Sequence, residues 1–162
     1  MTGRTHLLIG VASGIFGAAH APTDNLLRAA IVGAAVFAAL LPDIDHPRAI
    51  ISGYAPGVGQ AARLFISHRG ATHTILFAAL CMGLLFAVHA PVSIAAAAGA
   101  GILSHLVADM LTVQGVPLLM PLSRRAFKLL PYAILSMTSW IFESFAVAWS
   151  VVTIGFVVWG KL

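Results

Sequence analysis

Long apolar segments, almost uninterrupted by charges, constrain the fold of this chain more than any other feature. Sixty per cent of its 162 residues are hydrophobic and nine per cent are charged, whereas a soluble domain carries roughly 25% charged residues. So few charges could not cover a surface that faces water. We therefore predict an all-α fold, a polytopic integral membrane helical bundle of about five helices, in a single domain over residues 1–162.

Prolines, glycines and polar turns separate five predicted helices. Their ranges are residues 5–19, 26–41, 72–88, 92–113 and 136–159. A helix needs roughly 17–25 residues to cross a bilayer, so the first two are short. The stretch 115–131 contains three prolines and three basic residues, and this composition predicts a loop at the membrane interface. The N-terminal segment has features of a signal peptide, but we expect it to remain as a helix because it is glycine-rich and carries His6.

The basic residues are divided unevenly between the two sides of the predicted bundle. With the N-terminus in the cytoplasm, the inner segments hold seven of the nine Lys and Arg residues. Such an excess marks the cytoplasmic side of a membrane protein. We therefore predict a cytoplasmic N-terminus and an external C-terminus. The basic residues are scattered, so we expect the lipid bilayer and no nucleic acid as a partner.

The side chains that can bind metal lie, in this topology, at the cytoplasmic ends of the helices. Four of the five acidic residues and five of the seven histidines fall there. An ionisable side chain inside a membrane span is costly unless it has a partner, so this one-sided clustering predicts a shared site. The set comprises His6, Asp43, Asp45, His46, His68, His73, His105, Asp109 and Glu143.

The spacing of these residues suits a metal site. The motif HLVAD puts His105 and Asp109 one turn apart on one helical face. If the segment DID is extended, Asp43 and Asp45 point the same way and repel each other unless a cation lies between them. Each motif also has a role that needs no metal. In HLVAD, His105 and Asp109 could form a buried hydrogen-bonded pair, and PDID could simply end the second helix. Histidine and carboxylate donors without cysteine suit Zn²⁺, Mn²⁺ or Fe²⁺, and so many donors favour two ions.

The motif HRGATHT contains two histidines, His68 and His73, that cannot share one face of a continuous helix. We expect Gly70 to break the helical path and Thr72 to cap the third helix, which His73 then opens. Arg69 lies between the histidines, where a guanidinium could bind a phosphate or a developing oxyanion. Its alternative role is that of a basic anchor on the cytoplasmic side.

The candidates have an order of preference. The expected inner ligands are His6, Asp45, His73, His105 and Asp109. Further candidates, as ligands or as a general base, are Asp43, His46, His68 and Glu143, and Arg69 is assigned to an anionic group. Asp109 and Glu143 lie at similar depths, roughly 6–11 Å below the inner surface, so we expect them to share a pocket.

Three motifs, taken together and in order, resemble a known family. They are LPDIDHP, HRGATHT and SHLVADMLTVQGVPLLMPL, and they resemble the YdjM-like, LexA-regulated family of membrane-bound metal-dependent hydrolases. The resemblance runs from RTHLLIG through RRAFKLLP and weakens in the last helix. It implies a multi-pass protein of the bacterial inner membrane. HLVAD is also distantly similar to zinc-dependent phospholipases C, which implies His105 and Asp109, and more loosely Glu143, as ligands.

The expected function is a metal-dependent hydrolase that cleaves a phosphoester of a phospholipid or another amphiphile at the cytoplasmic face. It would use one or two divalent ions, with Zn²⁺ as the first choice and Mn²⁺ or Fe²⁺ as alternatives. A second hypothesis is a divalent metal-ion carrier or sensor, which should have polar residues continuing to the far side of the membrane. A protease is disfavoured because no HExxH motif occurs. A purely structural membrane protein is a further alternative.

Overall fold

The computed structural model describes residues 2–21, 24–46, 49 and 70–160 of the chain. The described residues form five α-helices and two short 3-10 segments, Leu41–Asp45 after the second helix and Ala71–His73 before the third. The helices are α1 (Gly3–His20), α2 (Asn25–Leu40), α3 (Ile75–Ala87), α4 (Val92–Met110) and α5 (Tyr132–Trp159). No β-strand occurs among the residues described, so the predicted all-α fold is confirmed.

The third helix begins slightly later than the sequence predicts, and its cap is a different residue. α3 starts at Ile75, and the Thr74 hydroxyl accepts a hydrogen bond from the Phe77 backbone N–H at 3.0 Å. The expectation that Thr72 caps this helix is therefore wrong. The reason is that residues 71–73 form a separate 3-10 segment, which moves the first α-helical turn towards the C-terminus.

Two stretches of the described chain are long and apolar enough to cross a membrane, Asn25–Ile44 and Val92–Met110. Two shorter apolar helices, Ile75–Ala87 and Glu143–Trp159, accompany them. Large apolar side chains such as Leu84 are exposed on the outside of the bundle, where a bilayer would cover them. The crossing of the membrane by all five helices, and the side on which each one ends, stay predictions.

Small residues allow α1, α2 and α4 to pack closely. A Cβ on Gly14 of α1 would lie 2.8 Å from the Cα of Val32 on α2. Gly101 of α4 is closer still, because a Cβ there would collide with the carbonyl oxygen of Ala35 and lie 3.1 Å from the backbone nitrogen of Ala39. Helices in lipid approach each other most closely at such small residues. The backbone of α2 therefore lies directly against α4.

The segment between α4 and α5 folds back on itself. Val116 and Phe127 exchange two backbone hydrogen bonds, with N–O distances of 3.1 and 2.8 Å. The carbonyl of Leu118 accepts a hydrogen bond from the N–H of Ile75 at 3.1 Å, which ties the segment to the start of α3. The predicted non-helical stretch over 115–131 is thus confirmed, and its location at the membrane interface stays a prediction.

Candidate metal centre

Among the residues that the structure describes, five ionisable side chains from four elements converge at one end of the bundle, which we call the site end. α1 and α3 begin there, and α2 and α4 end there. Four of the five side chains belong to residues that are at most 1% exposed, whereas the Asp43 side chain is 18% exposed. Their donor atoms form two groups that could hold a metal ion, both of which include His105. The groups are His6, His105 and Asp109, and Asp43, His73 and His105.

Within each group, the donor atoms lie close enough together to share an ion. The Nε2 atoms of His73 and His105 are 3.3 Å apart. Asp43 Oδ1 lies 3.5 Å from the first of these nitrogens and 3.8 Å from the second, and Asp109 Oδ2 lies 3.6 Å from each. Tetrahedral ligands at 2.0–2.1 Å from Zn²⁺ would lie roughly 3.3–3.4 Å from each other. The observed separations of 3.3–3.8 Å are close to this spacing.

A backbone contact orients His105. Its Nδ1 lies 2.7 Å from the carbonyl oxygen of Ala39, and a carbonyl oxygen can only accept, so Nδ1 donates. The proton on Nδ1 leaves the Nε2 lone pair free to face the other donors, as in metal-binding histidines. Gly101, one turn earlier on α4, permits the close approach of α2 that brings Ala39 within reach.

His73 is held by its neighbour in the sequence. Its Nδ1 lies 3.1 Å from the hydroxyl oxygen of Thr72, and both residues are buried. Thr72 therefore contacts the candidate site instead of capping α3. The 3-10 segment Ala71–His73 brings the two side chains together, and Thr74 immediately after it begins the helix.

His6 links a second group of donors to the first. Its Nε2 lies 3.3 Å from Asp109 Oδ1, and its ring stacks on that of His105 with centroids 3.8 Å apart. The Nδ1 atom of His6 is buried and has no hydrogen-bond partner in the part of the chain that the structure describes. Buried polar atoms nearly always have one, so this atom supports a role in ligand binding. Asp109 presents one oxygen to His6 and the other to His73 and His105, an arrangement suited to one ion or to two.

The charges of the cluster also fit a divalent cation. Asp43 and Asp109 bring two carboxylates to a site in which the histidine donors are 0–1% exposed. Burying a carboxylate is costly unless it is paired or coordinates a metal. The donor set contains imidazole and carboxylate but no thiolate, which suits Zn²⁺, Mn²⁺ or Fe²⁺. The residues present therefore fit the expected ion.

Glu143 contacts the start of α1 and belongs to neither donor group. Its Oε1 accepts hydrogen bonds from the Thr2 backbone N–H at 3.1 Å and from the hydroxyls of Thr2 and Thr5 at 2.5 Å each. The expected pocket shared with Asp109 is replaced by these contacts, because the start of α1 offers the carboxylate three donors. Since Thr5 directly precedes His6, Glu143 supports the candidate site from outside.

The remaining predicted site residues lie at or beyond the limits of the description. Asp45 ends the 3-10 segment Leu41–Asp45, and its side chain is outside the described part of the chain, as are all atoms of His68 and Arg69. The backbone N–H of His46 donates to the Asp43 carbonyl at 2.8 Å. The DID segment lies in a 3-10 turn, because Pro42 at its start favours a helical turn, so the condition under which Asp43 and Asp45 would point the same way is not met.

Sequence reasoning missed the supporting roles of the Ala39 carbonyl, Thr2 and Thr5, and it assigned Thr72 to a helix cap instead of to His73. The Ala39 carbonyl leaves no signal in a sequence, because it is a backbone atom brought to His105 by helix packing. Thr2 and Thr5 signal only a polar start of α1, and their contact with Glu143 spans more than 130 residues of sequence. Their role depends on the tertiary structure.

Comparison with known proteins identifies sequence relatives of this chain. A sequence model of the YdjM inner membrane protein family matches residues 1–161. The inner membrane protein YdjM of Escherichia coli (strain K12) is 35% identical over 130 residues, which cover 75% of this chain and 66% of that protein. The uncharacterized protein YvsG of Bacillus subtilis (strain 168) is 35% identical over 122 residues, covering 75% of this chain and 74% of that protein.

The matched region spans slightly less than two thirds of the Escherichia coli relative. No solved structure matches the chain. The predicted distant similarity to zinc-dependent phospholipases C is not shown by these comparisons.

Proposed function

This chain belongs to the YdjM inner membrane protein family, and from that premise we propose that it is a metal-dependent hydrolase embedded in the membrane. Its predicted inner-membrane location is confirmed by the family. The observation that supports the proposal most directly is the convergence of buried donors: the Nε2 atoms of His73 and His105 lie 3.3–3.8 Å from each other and from the nearest oxygens of Asp43 and Asp109.

The proposed chemistry is hydrolysis of a phosphoester. A divalent ion at this site, Zn²⁺ by first choice, would polarise a phosphoryl oxygen and activate water for attack. In the reaction, the oxygen of water forms a bond to phosphorus, the ester P–O bond breaks, and the alcohol leaves. Asp43 is the more exposed of the two clustered carboxylates, and its Oδ1 is the oxygen near the histidines. We therefore assign its other oxygen to take the proton of the attacking water and to pass a proton to the leaving alcohol.

The other residues have supporting roles in this proposal. The Ala39 carbonyl holds His105 in the tautomer whose Nε2 faces the other donors. Arg69 is assigned to the anionic phosphate on the basis of the sequence alone. The site lies at the ends of apolar helices in an inner membrane protein, so a phospholipid or another amphiphilic phosphoester is the proposed substrate.

A panel of phosphoesters, both water-soluble and lipid, tests this function on the purified full chain in detergent. We expect hydrolysis by the wild type to stop when a chelator is added and to return with Zn²⁺ or Mn²⁺. Asp109→Ala should abolish the activity, whereas Asp24→Ala should retain it, because Asp24 caps α2 at the other end of that helix. Equal activity of Asp109→Ala and wild type would contradict the proposal.

The alternative function, a metal-ion carrier or sensor, is favoured by one observation. His6, His73, His105 and Asp109 are all at most 1% exposed, which suits holding an ion more than admitting a large substrate. Tight Zn²⁺ binding without hydrolysis of any member of the panel would support this alternative. Uptake of Zn²⁺ into vesicles that contain the protein would then separate a carrier from a sensor.

A further inference from the structure

An apolar groove runs between α1, α4 and α5, with a volume of about 700 Å³. Residues of all three helices line it, among them Ile9 and Phe16 of α1, Ala100 and Leu111 of α4, and Phe145 and Phe156 of α5. The volume lies within the range of small-molecule sites in proteins, roughly 300–1,000 Å³. None of the clustered histidines or carboxylates lines it, so it is separate from the candidate metal centre.

One end of the groove, the near end, lies beside the candidate metal centre. Ala108 lines the groove and directly precedes Asp109 on α4. Ile9 also lines it and lies one helical turn after His6 on α1. The opposite end, the far end, is formed by residues further from the site along each helix, including Ala100. A molecule in the groove therefore has one end next to the metal donors.

The length of the groove matches an acyl chain. The eleven residue steps from Ala100 to Leu111 along α4 correspond to roughly 16 Å at a rise of 1.5 Å per residue. Half of a hydrocarbon core that is about 30 Å thick, which is the depth filled by the acyl chains of one leaflet, is about 15 Å. A single chain from one leaflet would therefore extend from the near end to the far end.

The groove wall offers little to a polar ligand. The hydroxyl of Ser104 donates to the Gly101 carbonyl, and that of Ser150 donates to the Ala146 carbonyl, each at 2.8 Å. These hydroxyls are satisfied by their own helices, and the other lining side chains are almost all apolar. Burial of methylene groups is therefore the interaction that this wall can make.

We propose that the groove binds one acyl chain of a lipid phosphoester and thereby places the phosphoester beside the candidate metal centre. The identity of the headgroup rests on the proposed function, whereas binding of the chain does not. The groove would select for chain length, because methylene groups that extend beyond its lined wall of roughly 16 Å gain no further contact with it. It would also favour lipids over water-soluble phosphoesters.

Two groove variants and one control test this proposal. Ala100→Phe fills the far end, and Phe156→Ala enlarges it; both positions are exposed, Phe156 by 79%, so neither change disturbs the packed core. Ala79→Phe is the matched control, because Ala79 is an exposed alanine on α3, which does not line the groove. Thermal unfolding would verify that all three variants fold.

The probe is a series of monoacylglycerol phosphates of increasing chain length, with glycerol phosphate as the reference that lacks a chain. Binding to the metal-stripped protein in detergent is measured first, and hydrolysis by the Zn²⁺-loaded protein second. We expect Ala100→Phe to shift the preferred chain length downwards, with a loss of affinity of about fourfold for each methylene excluded. Phe156→Ala should shift it upwards, and Ala79→Phe should leave it unchanged.

The two readouts separate failure of the groove from failure of the hydrolase. Chain-length-dependent binding that responds to both groove variants, without hydrolysis, would support the groove and contradict the hydrolase. If hydrolysis depends neither on chain length nor on the two groove substitutions, the result would support the proposed hydrolase activity and contradict acyl-chain binding in the groove. A change in oligomeric state on Ala100→Phe, with no effect on chain binding, would assign the groove to a second copy of the chain and also overturn the proposal.

Discussion

α4 and α5 are both long apolar helices, but they are buried very differently. In α4, ten of 19 residues are buried, including His105 and Asp109. In α5, Ser150 is the buried residue among the described side chains, and Trp149 is 66% exposed. Small residues allow α4 to pack against the backbone of α2, whereas the aromatic side chains of α5 leave a groove. Close packing holds polar donors in place, and looser packing leaves the groove that we propose for an acyl chain.

The largest effect is expected from a ligand on the packed helix. Asp109→Ala removes both oxygens that face the three histidines, so Zn²⁺ affinity should fall by more than about 100-fold, beyond the usual effect of residues that only support ligands. Competition with a chelating dye measures this. An unchanged affinity would show that Asp109 does not bind the ion.

A pair of glycines tests the difference in packing between the two helices. Gly101→Ala should reduce the free energy of unfolding by about 1–3 kcal/mol, because its Cβ would collide with the backbone of α2. Gly155→Ala on α5 places a Cβ where no atom of the described residues lies within 4 Å, so stability should be unchanged or rise by up to about 1 kcal/mol.

The unfolding and the Zn²⁺ affinity of both glycine variants should be measured together. Gly101→Ala is expected to weaken Zn²⁺ binding as well, since separation of α2 from α4 removes the Ala39 carbonyl from His105. Equal effects of the two substitutions would contradict the packing difference between α4 and α5.

Substitution of Glu143 should have an intermediate effect on Zn²⁺ affinity, because α5 supports the site but supplies no metal ligand to either donor group. Glu143→Ala should lower Zn²⁺ affinity by about tenfold, since the start of α1 and therefore His6 lose an anchor. Glu143→Gln keeps one acceptor oxygen and should recover most of the affinity. A loss as large as that of Asp109→Ala would instead make Glu143 a ligand.

The smallest losses of stability and Zn²⁺ affinity are expected from two helix-capping residues, one at the site end of the bundle and one at the other end. Asp24 accepts a hydrogen bond from the Leu27 N–H at 2.8 Å at the start of α2, and Thr74 caps α3 next to His73. Replacing either by alanine should cost about 1 kcal/mol of unfolding free energy. Only Thr74→Ala should also weaken Zn²⁺ binding, by a few-fold. A comparable loss on Asp24→Ala would contradict the location of the site at one end of the bundle.

Much of the fold follows from the sequence because apolar runs bounded by proline and glycine identify helices directly. The predicted ranges of α2 and α5 agree with the observed ones within four residues at each end. Their packing does not follow, because it depends on which small residues meet. The contact between Gly101 and the backbone at Ala35 joins residues far apart in the chain.

The site was predicted in part. His6, His73, His105 and Asp109 were expected as inner ligands, and the structure brings their side chains together. Asp43 was expected only among the further candidates, because the direction of its side chain depends on the turn that follows α2, and the structure brings it to His73 and His105. Depth along a helix can be counted from the sequence, but the direction a side chain faces after packing cannot. Glu143 therefore contacts α1 and not Asp109.

Thermal unfolding of the metal-stripped full chain in detergent, with and without added Zn²⁺, tests the central claim of a buried metal centre most directly. We predict that Zn²⁺ raises the Tm of the wild type, because an ion that binds only the folded state stabilises it, and that His105→Ala abolishes this rise. Titration should saturate at one or two ions per chain. A wild-type Tm that responds to neither chelator, Zn²⁺ nor Mn²⁺ would contradict the account.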